Sequence, residues 1–141
     1  MKTIILLVSI LAAVNLFASE SEWEGAILKK MLESMSKSAV ISVYTKDKTL
    51  QKEFQNSYAF HMVQDCKKSD FVLVRKSEDL NQTCNKPTIV FDYYTYLQTP
   101  NAVGVFFWQK GRPTIRFSQK RLQSFDLKVH GELLKFVSTK K

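Results

Sequence analysis

The chain has 141 residues, with 21 Lys plus Arg against 13 Asp plus Glu, a formal charge of +8, and 45% hydrophobic and 12% aromatic residues. That apolar and aromatic content excludes a disordered chain, and four glycines and three prolines exclude collagen-like and low-complexity architectures. Two cysteines exclude a disulfide-dense miniprotein.

Residues 1–18 read as a secretory signal peptide. Lys2 is the only charge before the apolar runs Ile4–Val8 and Ile10–Val14, and Ala18 offers a small residue for cleavage. The run is short for a membrane-spanning helix of ~20 residues. Cleavage after Ala18 is therefore expected, leaving residues 19–141 as one exported domain with no transmembrane span. Its charge is uneven. Residues 19–108 carry eleven basic and eleven acidic side chains, whereas residues 109–141 carry nine and two.

Trp23, Ile27, Met31 and Met35, with Leu28 and Leu32 beside them, predict an amphipathic helix over residues 22–36. Ala39–Tyr44 is short, β-branched and apolar, and predicts a strand. Thr49 is positioned to cap a helix over residues 50–56. Tyr58–Val63 reads equally as a strand or as the end of that helix. Phe71–Arg75 and Thr88–Phe91 are continuous apolar runs, as expected of parallel strands covered on both faces. Ser77–Leu80 reads as a helix start and Tyr93–Leu97 as one helical turn. Val103–Trp108 and Thr114–Ser118 flank a Gly-containing turn and predict a hairpin, with Pro113 expected to mark a bulge. Two short helices, 119–125 and 129–137, close the chain. The expected fold is an α/β three-layer Rossmann-like sandwich with a mostly parallel sheet, a C-terminal β-hairpin and helices.

Cys66 precedes one of the two parallel-type strands and Cys84 the next, so both belong at one sheet edge. In an oxidising compartment a structural disulfide is expected there, and a reducible pair is the alternative. His61 and His130 are the only histidines, and neither has metal-ligand spacing to other donors, so no metal is expected. The chain lacks G-x-S-x-G, the phosphate-binding G-x-x-x-x-G-K and G-x-G-x-x-G, so no catalytic residue and no cofactor is expected. Asp92, Tyr93 and Tyr94 follow a strand at its carboxyl end, where open α/β sheets bind ligands, and are the candidate pocket edge. Trp108, Lys110, Arg112, Arg116 and Arg121, in the basic and aromatic last third, are the candidate partner-binding residues. An exported destination argues against nucleic acid. An acidic protein, anionic lipid headgroups or a cell-wall polymer would meet the same charge.

Residues 39–137 resemble the YfiR family of bacterial periplasmic proteins. The resemblance rests on Phe71–Val74 after Cys66, the run Lys86–Val90, the hairpin Ala102–Phe117, and the closing pattern Arg116-Phe117-Ser118, Leu122, Leu127-Lys128-Val129 and Glu132–Lys135. It implies a non-catalytic periplasmic protein that binds the periplasmic domain of an inner-membrane diguanylate cyclase and represses it. A homodimer is the other assembly to consider. A small-molecule-binding or transport-accessory protein using Asp92 and Tyr94 is the alternative function.

Overall fold

The computed structural model describes residues 20–82 and 84–139; the expected signal peptide lies outside them. Helix α1 (Glu20–Met35) buries Leu28, Met31, Leu32 and Met35, the spacing that places side chains on one helical stripe. Strand β1 (Ile41–Thr45) alternates, with Ile41, Val43 and Thr45 buried. Helix α2 (Lys48–Gln55) begins one residue after Asp47, whose carboxylate accepts the Leu50 amide at 2.9 Å. Asp47 rather than Thr49 is therefore the cap: a carboxylate just outside the first turn reaches an orphan amide that Thr49, already within the helix, does not.

The ambiguous segment forms a short strand, β2 (Phe60–Met62). A 3₁₀ turn (Cys66–Lys68) leads to β3 (Phe71–Val74), and a 3₁₀ helix (Ser77–Gln82) precedes β4 (Thr88–Val90). Every residue of β3 and β4 is buried. Helix α3 (Tyr93–Gln98) leads to the hairpin of β5 (Ala102–Gln109) and β6 (Arg112–Ser118). Helix α4 (Gln119–Ser124), a 3₁₀ helix (Gly131–Phe136) and β7 (Val137–Ser138) complete the chain. The expected final helix is thus a 3₁₀ helix that gives its last residues to a strand.

The seven strands form one sheet in the order β2-β1-β3-β4-β5-β6-β7, parallel throughout except for the antiparallel β5–β6 pair. Period-two alternation divides the core between its two faces. On the first face Ile41, Val43, Phe71, Leu73, Ile89, Phe106 and Phe117 meet α1, α2 and α4. On the second, Val72, Val74, Val90, Ala102 and Val105 meet Cys66 and the α3 residue Tyr96. This is the three-layer α/β sandwich with a mostly parallel sheet and a C-terminal hairpin.

The hairpin departs from expectation in one respect. Its loop has only two residues, Lys110 and Gly111, both with positive φ (51° and 75°), the conformation that suits tightly twisted hairpins. Gln109 pairs with Arg112 next to the turn, so Trp108 and Pro113 fall in a non-hydrogen-bonded pair. The missing proline donor therefore points away from β5, and no bulge is needed. The sheet's irregularity lies elsewhere: Thr88 pairs with Ala102 and Ile89 with Gly104, leaving Val103 as an extra residue in β5. Gly104 is required to be small there, because an added Cβ would lie 2.8 Å from Ile89 Cδ1 and 3.2 Å from Phe117 Cδ1.

Cys66 and Cys84 are joined as a disulfide, with Cα atoms 5.9 Å apart, at the edge where β3 and β4 begin. The bridge closes a loop of 18 residues, worth about 3 kcal/mol in the chain-entropy description. Replacing both cysteines by serine is expected to lower the unfolding free energy by about that amount in urea titrations, and a reductant is expected to bring the unmodified protein to the same value.

Candidate functional site

Strand β4 ends at Val90, level with Val105, while β5 continues to Gln109. The hairpin therefore projects roughly 13 Å beyond the carboxyl edge of β4, at about 3.3 Å per residue. Alternation sorts its side chains. Phe106 and Trp108 take the first face, where their rings pack edge to face at 5.8 Å and Trp108 remains 37% exposed. Phe107 and Gln109 take the second face, and the register places Thr114 and Arg112 beside them.

Helix α3 brings Tyr93 to this second face. Asp92 holds the start of the helix: one carboxylate oxygen accepts the Thr95 amide at 2.8 Å, and the other accepts the Thr95 hydroxyl at 2.6 Å. Tyr93 packs against Phe107 at 5.9 Å and Tyr96 at 6.0 Å, and the Arg116 guanidinium stacks over its ring at 5.5 Å. The result is a patch of Tyr93, Phe107, Arg112 and Arg116 on a part of the sheet that α3 leaves uncovered, with Tyr94 exposed next to Tyr93 in the helix. Two separately predicted sets, the ligand-pocket edge and the basic hairpin, meet in this patch. Among the described residues no carboxylate lies within salt-bridge distance of Lys110, Arg112 or Arg116.

Arg121 is separated from the patch. β6 carries the chain roughly 20 Å from the tip to α4 at the other edge. There Arg121 Nη1 donates to the carbonyls of Tyr96 (2.5 Å) and Ala102 (2.9 Å), and Nη2 donates to that of Leu97 (3.2 Å). The guanidinium also stacks on Tyr96 at 4.9 Å. Burial raises the Tyr96 phenol above its ordinary pKa, with the Arg121 charge opposing. Arg121 is thus a positioning residue that fixes the end of α3, as Asp92 fixes its start. Residue type did not disclose this role: an Arg in an amphipathic helix reads as solvated, and only the return of α4 beneath α3 brings it to three carbonyls.

A second cluster lies where the strand order reverses, between β1 and β3, the usual ligand crevice of open α/β sheets. It is filled from within. Arg75, just after β3, pairs with Glu24 of α1 and with Asp47 (3.0 Å), and stacks 4.5 Å over Phe91. Burial lowers the guanidinium pKa, but the hydrogen bond and charge of Glu24, then Asp47, outweigh it and raise it above its ordinary value. The sequence signal for this triad was weak, since Glu24 and Arg75 are 51 residues apart.

An apolar cavity of about 440 Å³ opens between α4 and the C-terminal 3₁₀ helix, lined by Leu122, Leu127, Val129, Leu134 and Val137, with Lys128 and His130 among its polar residues. His61 is exposed on β2, and His130, also exposed, bonds through its amide to the Ser34 carbonyl. Among the described residues no group of three His, Cys, Asp or Glu side chains is placed to hold a metal ion. No helix among them is long and apolar enough to cross a membrane. No protein-family model matches the chain, and neither does any curated protein.

Arg121→Lys keeps the charge but loses the planar fork that serves three carbonyls. It is expected to destabilise the fold by about 2 kcal/mol in urea unfolding and to change the near-ultraviolet tyrosine dichroism. Arg116→Lys, at an exposed site, is expected to change stability by less than about 0.5 kcal/mol.

Proposed function

We propose that the protein is a non-catalytic periplasmic binding protein that represses or modulates an inner-membrane signalling protein by capturing its periplasmic domain, in the manner of the YfiR-like proteins it resembles. A diguanylate cyclase is the partner that resemblance suggests. The observation that carries the reading is the aromatic–arginine patch: two arginines without carboxylate partners on the same face as Tyr93 and Phe107, on an uncovered part of the sheet. Tyr and Arg are the residue types on which binding energy concentrates at interfaces, because they combine large apolar area with directed polar contact. Their charge suits an acidic or mixed surface. The disulfide stiffens the opposite edge of the same sheet, and Asp92 and Arg121 hold α3, so the patch is preorganised and loses little entropy on docking.

Charge reversal of Arg112 and Arg116 together is expected to abolish co-purification of the partner from solubilised inner membranes, with at least about a thirtyfold loss of affinity. Thermal unfolding is expected to stay close to that of the unmodified protein. Capture unchanged by this double substitution would contradict the placement.

A second reading rests on the apolar cavity under α4. Its volume falls within the range of small-ligand sites, and its lining combines five aliphatic side chains with Lys128 and His130. It suits a small apolar carboxylate, and a periplasmic ligand-binding role would follow. Saturating ligand from a panel of such compounds is expected to raise the melting temperature, and Leu134→Glu to remove that rise. No shift with any compound would leave the protein-capture reading alone.

A further inference from the structure

The hairpin tip has a property that the patch on the second face does not use. Lys110, Gly111 and Arg112 are exposed, Trp108 stands on the first face just behind them, and this end of the hairpin extends beyond the rest of the sheet. The second of the chain's two tryptophans, Trp23, is 64% exposed in the first turns of α1. Because Glu24 pairs with Arg75, just past the end of β3, this end of α1 lies at the same carboxyl edge. Both tryptophans thus stand at one edge.

We infer that the hairpin tip docks on an anionic phospholipid surface, with Trp108 entering the headgroup region and Lys110 and Arg112 pairing with lipid phosphates. Tryptophan beside Lys and Arg is the combination that settles at a membrane–water interface, where the indole is half solvated and the cations meet negative headgroups. Charge fixes the orientation. Of the acidic residues at this edge, Glu24 and Asp47 are held by Arg75, and Asp92 caps α3. Glu78 and Asp79 follow β3, two strands removed from the hairpin. The domain therefore meets the bilayer tip first, with the described free carboxylates Glu78 and Asp79 set back from it. Arg112, at the turn, is then shared between the tip and the patch, and the rest of the second-face patch, Tyr93, Phe107 and Arg116, stays clear of the lipid, open to a neighbouring membrane protein's external domain.

The test uses the chain from residue 19 onward, which contains every described element. Trp23→Phe leaves Trp108 as the sole tryptophan, and Trp108→Phe leaves Trp23. With vesicles of equimolar phosphatidylglycerol and phosphatidylcholine, Trp108 emission is expected to shift to the blue and to be quenched by brominated lipid, more strongly than Trp23 emission. Pure phosphatidylcholine is expected to produce neither effect, and molar salt is expected to reverse both. Lys110→Asn with Arg112→Gln, which removes both charges and keeps a residue tolerant of positive φ in the turn, is expected to lower vesicle partitioning roughly tenfold or more. Absence of vesicle binding, equal binding to both vesicle types, a shift confined to Trp23, or partitioning unaffected by the tip substitutions would each overturn the inference. The vesicle measurement contains no protein partner, so its failure would leave the capture of a signalling protein untouched, and the converse also holds.

Discussion

The geometry of the candidate site depends on one guanidinium. Arg121 gathers the carbonyls of Tyr96, Leu97 and Ala102. In doing so it ties the C-terminal helix to the end of α3 and to the first residue of β5. A six-residue helix has little intrinsic stability, because nucleation fixes several dihedrals for each hydrogen bond gained. Its direction must come from its ends. Asp92 supplies the start and Arg121 the finish, so the ring of Tyr93 is presented to Phe107 and Arg116 at one angle. The basic residues of the last third thus divide between structure and surface: Arg121 organises, while Lys110, Arg112 and Arg116 remain available.

A second consequence concerns what the fold does with its ordinary ligand crevice. In sheets of order 2-1-3-4-5, the reversal between β1 and β3 opens a cleft at the carboxyl ends. Here the N-terminal helix reaches over that cleft, and Glu24 and Asp47 close around Arg75. The α1 helix also fills the part of the first face not covered by α2 and α4, so its position is fixed by apolar burial along its length and by an ion triad at its start. With that cleft occupied, the uncovered part of the sheet is the hairpin and its adjoining edge, where the second face has only α3 to cover it.

Much of this was readable from local patterns. The continuous apolar runs of β3 and β4 announced strands buried on both faces, and the placement of Cys66 and Cys84 before those strands announced their bridge. The four-residue spacing in α1 announced its buried stripe from Leu28 onward, but not its start, where Trp23 is 64% exposed. What escaped local reading depended on register or on distance in the chain. Pro113 suggested a bulge until the two-residue turn placed it in a non-hydrogen-bonded pair. Asp47 displaced Thr49 as a cap because the helix starts two residues earlier than its apolar pattern. β7 is too short to show a period. The candidate residues were recognisable by type, but their grouping was not: Tyr93 and Arg116 are joined only by the way α3 folds back over β5, and Arg121 is engaged by three carbonyls only through the return of α4.

The central claim is that the surface formed by Tyr93, Phe107, Arg112 and Arg116 is where another protein docks. Site-specific photo-crosslinking in living cells tests it most directly. A benzophenone amino acid placed at Thr114, within the patch, is compared with one at Lys52 on α2, on the opposite side of the sheet. The account predicts a discrete crosslinked species from Thr114 that mass spectrometry assigns to an inner-membrane protein with a periplasmic domain, and none from Lys52. The same species from Lys52 but not Thr114, or none from either at native expression, would contradict it.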